Sequence, residues 1–87
     1  MTVRVRFFAS LREAVGTGEI ELPLENGVSL DELMRLLADR LPAAGMAALR
    51  AENVRLAVNQ TLAGATDGPM RIDIDDEVAF LPPVTGG

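Results

Sequence analysis

A chain of 87 residues with one long amphipathic helix between alternating strand segments has few ways to build a core, and the stretch from Asn26 to Pro42 reads as that helix. Asn26-Gly27 is a turn. Ser29 to Glu32 has the S-x-x-E form of a capping box, in which the Ser29 hydroxyl accepts from the Glu32 backbone N–H and the Glu32 side chain reaches back in return. Val28 before the cap and Leu33 inside the helix form a hydrophobic staple. Leu30, Leu33, Met34, Leu37 and Leu41 recur at helical spacing, whereas Asp31, Arg35 and Asp39 fall mostly outside that stripe. Asp31 and Glu32 suit the positive end of the helix dipole, Arg40 suits the negative end, and Pro42 stops the helix. The stripe is expected to be core.

The flanking segments alternate with the period of a strand. Val3, Val5 and Phe7 fall on one face of Met1 to Phe8, leaving Arg4, Arg6 and Phe8 on the other. Phe8 is out of pattern beside two arginines: either it turns under at the end of the strand, or it belongs to an exposed apolar contact patch. Ser10 to Val15 is a short helical turn opened by Ser10, with Gly16 closing it in a left-handed conformation. Glu19 to Pro23 is a strand with Ile20 and Leu22 inward, and Pro23 marks an edge or a strand end. After the main helix, Ala43 to Arg50 is a second, shorter helix weakened by Gly45. Val54 to Val58 is a strand ending at Asn59-Gln60, Thr61 to Ala63 pairs briefly, Gly64 to Pro69 is loop, Met70 to Ile74 is a short extended piece and Asp75-Asp76 a turn. Glu77 to Leu81 is the final strand, with Val78 and Phe80 toward the core and Ala79 and Leu81 away from it. Helices between two pairs of strands in so small a domain predict an α+β roll: a mixed four- or five-stranded sheet with the main helix packed across one face. Phe8, Leu81 and Leu62 are expected on the other, wetter face. Clustered there, they would supply roughly 5–9 kcal/mol on burial against a partner, before association costs.

Composition bears on chemistry mainly through absences. The chain has no Cys and no His, which excludes Cys and His nucleophiles, His general acid–base catalysis, thiolate zinc sites and disulfides. All eight basic residues are Arg, so there is no side-chain amine for Schiff-base chemistry or for attack on an activated C-terminus. A net charge of −5 argues against general nucleic-acid binding, which depends on neutralising phosphates with basic side chains. No apolar run approaches the roughly 18 residues of a membrane span and there is no signal-peptide pattern. A soluble cytoplasmic protein, bound to neither membrane nor nucleic acid, is expected. Asp73, Asp75, Asp76 and Glu77 form the one dense acidic cluster, but their spacing is not that of an EF-hand loop, and a solvated turn is favoured. Gly64 to Gly68 lacks the Lys and following helix of a phosphate-binding loop. No metal site is predicted.

The remaining handle is the segment Pro82-Pro83-Val84-Thr85-Gly86-Gly87. Two prolines lack N–H donors and fix φ near −65°, so a strand entering them continues as a stiff rod. Gly86 and Gly87 then leave a carboxylate on a slender thread with a reach of roughly 20 Å. Such a thread can enter a channel too narrow for any side chain; the plain alternative is a frayed terminus. The expected organisation is a folded domain at 1–81 with an extended tail at 82–87.

Glu77 to Gly87, together with Phe7-Phe8-Ala9-Ser10-Leu11-Arg12-Glu13 and Ala57-Val58-Asn59-Gln60-Thr61-Leu62, closely resembles the molybdopterin synthase small subunits, ubiquitin-like sulfur carriers of the MoaD/ThiS type. The similarity spans essentially the whole chain in matching order. It implies a ubiquitin-like β-grasp fold and, by position, that Gly87 is the reacting residue. Gly86, Thr85, Val84, Pro83 and Pro82 would then thread into a partner, with Phe8, Leu62 and Leu81 contacting the large synthase subunit in a heterotetramer. The resemblance further implies that an E1-like adenylating enzyme uses Mg-ATP to form an acyl-adenylate at Gly87, and that a persulfide donor replaces the adenylate with sulfur. The thiocarboxylate would supply sulfur to the pterin precursor of the dithiolene, in molybdenum cofactor biosynthesis, with no cofactor bound by this chain and the catalytic groups on its partners. Departures are Asp75 where the family commonly has Gly, Leu81 where many relatives are aromatic, and a poor match from Gly64 to Ile74. Alternatives are a sulfur carrier for thiamine biosynthesis, a ubiquitin-like modifier joined to lysines through Gly87, and a simple interaction module.

Overall fold

Alternation and periodicity become elements much as the side-chain pattern dictates. The computed structural model describes residues 1–52, 54–65 and 71–82, with the backbone alone at residues 62–65. The elements run β1 (Thr2–Phe7), α1 (Ser10–Val15), β2 (Glu19–Pro23), β3 (Val28–Ser29), α2 (Leu30–Ala38), α3 (Ala43–Leu49), β4 (Arg55–Val58), β5 (Thr61–Ala65), β6 (Arg71–Ile72) and β7 (Glu77–Leu81).

The main sheet has five strands in the order β2-β1-β7-β4-β5. It is mixed, because β7 runs parallel to β1 and antiparallel to β4, while β1 with β2 and β4 with β5 are antiparallel pairs. A parallel neighbour for β1 requires a crossover, and the helices lie in the chain between the two strands. Pro23 ends β2 on an edge, where a missing N–H interrupts no ladder.

On the inner face Phe7, Phe80 and Leu56 are set side by side by register, as are Val5, Val78 and Val58. Phe7 and Phe80 stack with centroids 5.8 Å apart and an interplanar angle of 18°. Leu30, Leu33, Met34, Leu37 and Leu41 join these residues in one buried cluster, so the helical stripe is core. No polar or charged side chain is buried among the described residues.

Several local expectations change. Ser10 does not cap α1: Ala9 holds that position at φ 51° and ψ −126°, and the turn is fastened by backbone N–H groups of Leu11 and Arg12 donating to Phe8 and Ala9 carbonyls. Gly16 closes α1 at φ 93° as expected. At α2 the Ser29 hydroxyl accepts from the Glu32 N–H at 3.1 Å, but the Glu32 carboxylate pairs with Arg35 at 3.2 Å and the box is one-sided. Gly45 serves close packing: an added Cβ would come within 3.1 Å of the Val15 Cα and 3.2 Å of the Ala14 carbonyl oxygen, so α3 crosses α1 backbone to backbone. Strand β5 extends through Gly64 and Ala65, which the sequence placed in a loop. Val28-Ser29 and Arg71-Ile72 form a separate two-stranded pair, legible beforehand only as a cap and a short extended piece.

Candidate functional site

The side of the sheet away from α2 carries Arg4, Arg6 and Phe8, and Leu81 at the end of β7. Register sets Glu19, Arg6, Ala79, Ala57 and Leu62 in one row across β2, β1, β7, β4 and β5, and Glu21, Arg4 and Glu77 in the next. Beyond Phe7 the chain continues beside β7, where the Phe8 N–H donates to the Phe80 carbonyl at 3.2 Å. Leu81 lies opposite Arg55. Phe8 and Leu81 therefore share the end of the sheet from which β7 runs into Pro82, and all three are half-buried. Phe8 follows neither extreme expected of it, being neither tucked under nor fully open. Ala79, expected outside, is buried at 8% exposure against Ala57 at 7%. Leu62 pairs with Ala57 in the backbone register, and its side chain lies outside the described residues. Pro83, Val84, Thr85, Gly86 and Gly87 also lie outside them.

Charge on this face is organised around two carboxylates. Arg4 and Arg6 each approach both Glu19 and Glu77, at 3.6 and 3.8 Å for Arg4 and 3.6 and 3.9 Å for Arg6. Cross-strand pairing of opposite charges requires this register. Arg6 also lies over the Phe8 ring, its Cζ 5.0 Å from the centroid. Alternation alone placed Arg4, Arg6 and Phe8 on one face, but the roles of Glu19 and Glu77 were not foreseen, because they depend on which strands become neighbours.

At the opposite end of the sheet, the acidic turn is held by its own hydrogen bonds. Asp76 accepts from the Asp73 N–H at 2.9 Å and from the Asn59 side-chain amide at 3.0 Å, and the Asn59 side-chain oxygen accepts from the Glu77 N–H at 3.0 Å. Asp75 sits at φ 69°, a left-handed geometry that Asp tolerates better than most residues. No group of acidic side chains among the described residues is arranged to hold a metal ion. No helix there is long and apolar enough to cross a membrane.

One α-helix packed across a mixed sheet, with β1 and the last strand parallel at its centre, is the ubiquitin-like β-grasp. Residues 5–87 match the model of the ThiS family, and the chain belongs to that family. It is 41% identical to the molybdopterin synthase sulfur carrier subunit of Escherichia coli, covering 98% of this chain and 99% of that one. Among solved structures it resembles the small archaeal modifier protein 1 from Methanosarcina acetivorans, at 27% identity and TM-score 0.71, covering 99% of this chain and 96% of that one. It also resembles a chain in the Helicobacter pylori complex of subunits 1 and 2 of molybdopterin-converting factor, at 25% identity and TM-score 0.65, covering both chains fully.

Proposed function

We propose that this chain is the sulfur carrier subunit of molybdopterin synthase, with the α-carboxylate of Gly87 as its working group. The observation that carries the reading is the whole-length likeness to the Escherichia coli carrier subunit, with a family match running through Gly87. The physical case is the separation of scaffold from chemistry. A carboxylate is a poor acyl donor, so an E1-like enzyme converts it with Mg-ATP to an acyl-adenylate. The outer sulfur of a persulfide donor displaces AMP to give an acyl disulfide, and a second thiol cleaves its S–S bond, leaving the thiocarboxylate and a disulfide on the donor. The charged tail from Pro82 to Gly87 then enters the large subunit, which holds the pterin precursor and performs the sulfur transfer that builds the dithiolene. Phe8 and Leu81 supply the apolar part of the docking face beside the root of the tail, and Leu62 is assigned to the same contact by the family resemblance alone. The Helicobacter pylori complex supports a second-subunit partner for a domain of this kind. A chain without Cys, His or Lys suits a carrier whose partners supply all catalytic groups.

Incubation with a cognate activating enzyme, Mg-ATP and a persulfide donor is expected to exchange one oxygen for sulfur at Gly87, read by intact-mass spectrometry. Deleting Gly87 should abolish the exchange and leave the melting temperature unchanged. An unmodified mass under conditions that charge an authentic carrier would refute the reading. The likeness to a small archaeal modifier favours one rival, attachment to target lysines through Gly87. Recovery of lysine-linked conjugates from cells, with no thiocarboxylate, would establish that rival instead.

A further inference from the structure

We propose that Arg6 is a positioning residue of the docking face: its guanidinium, braced between Glu19 and Glu77, lies over Phe8 and fixes the orientation in which that ring meets the large subunit. The inference rests on the docking reading above and adds a residue that the reading does not use. Phe8 is constrained on two levels. Its backbone is held by its N–H bond to Phe80 and by the turn in which the Leu11 N–H donates to the Phe8 carbonyl at 3.0 Å, across Ala9 at φ 51° and ψ −126°. These contacts fix where the side chain starts and do not involve the ring. The ring is half-buried, and the Arg6 guanidinium at 5.0 Å is the charged group placed over it. A cation over an aromatic face is attracted by the ring quadrupole.

The guanidinium is itself confined. Glu19 reaches it from β2 and Glu77 from β7, on the two flanks of β1. Arg6 is 42% exposed along its side chain, so each ion pair is worth little as stability. Their effect is geometric, because carboxylates on both sides keep the planar group above the sheet and within reach of Phe8. Arg6 and Phe8 also line, with Arg12 and Gly18, a surface depression of about 370 Å³ that can receive a partner side chain. A ring already ordered in the free carrier loses less entropy on docking than one that must be ordered by the partner.

A double-mutant cycle tests this with the full chain and the cognate large subunit, read by titration calorimetry. Arg6→Met should weaken binding about two- to five-fold, the span expected for an exposed cation–aromatic contact. Arg6→Lys should recover part of the loss, and Arg6→Met should have no effect in a Phe8→Ala background. In the free protein, NMR should show the Arg6 side-chain protons shifted upfield by the ring, and Phe8→Ala should remove the shift. An equal cost of Arg6→Met in both backgrounds would overturn the proposal, since Arg6 would then touch the partner directly. Absence of the ring shift in the free chain would overturn it as well. If Phe8→Ala weakens binding but Arg6→Met does not, this inference alone fails; if Phe8→Ala has no effect, the docking face fails with it.

Discussion

Asn59 shows how a single side chain can tie two turns that are distant in sequence. Both Asn59 (φ 52°) and Gln60 (φ 71°) lie in the left-handed region, the geometry of the tight hairpin turn between β4 and β5. Asn tolerates that geometry, and its side chain then bonds to Asp76 and to the Glu77 backbone across the sheet. Asn59→Gly keeps the backbone conformation and removes only those two bonds, so it should cost about 1–2 kcal/mol in denaturant unfolding. A stability equal to the parent would mean that water replaces the bonds without loss. The dipeptide Asn59-Gln60 was readable as a strand end, and Asp75-Asp76 as a turn. That the two turns meet could not be read, because it follows from β4 and β7 becoming neighbours. Asp75 itself was legible: a residue in the place of Gly must tolerate positive φ, and Asp does.

Among the elements, α1 and α3 are instructive because local propensity and packing disagree. Gly45 lowers the intrinsic helicity of an Ala-rich segment, and the helix forms regardless because its glycine lets it approach the α1 backbone. At an open helical position Ala in place of Gly would stabilise by about 1 kcal/mol. At Gly45 the new Cβ meets backbone atoms that cannot rotate away, so Gly45→Ala should give a net loss of about 1 kcal/mol or more, measured by thermal unfolding. A gain would show that α3 can shift relative to α1. The amphipathic stripe of α2 needed no such context: Leu30, Leu33, Met34 and Leu37 carry their burial in their spacing, and all are buried. Its capping box was half right, since the Ser29 bond is local whereas Glu32 could choose between a backbone N–H and Arg35.

For the whole molecule, one face of the sheet is packed into the core with α2 and the other carries the proposed docking residues Phe8 and Leu81. Because Phe8 and Leu81 are half-buried in the free chain, docking can remove from water only part of each side chain, and the sum of roughly 5–9 kcal/mol expected of three open residues is an upper bound. Phe8→Ala or Leu81→Ala should weaken large-subunit binding by about 1–3 kcal/mol while changing the melting temperature little. Parent-like affinity in both variants would remove the proposed patch. Alternation, the helical stripe, the turn residues and the Pro-Pro-Val-Thr-Gly-Gly segment were all readable along the chain, because each is a property of residues a few positions apart: periodicity of burial, a missing N–H, a missing side chain. They sufficed for the α+β class, the strands of the main sheet and the main helix, while Gly87 as the proposed reacting residue came with the family resemblance. Strand order, the β3–β6 pair, the burial of Ala79, the close passage of α3 over α1 and the bracing of Arg6 by Glu19 and Glu77 were not. Each depends on residues far apart in sequence becoming neighbours, and only the folded sheet, by setting which strands pair and in what register, brings them within a few ångströms.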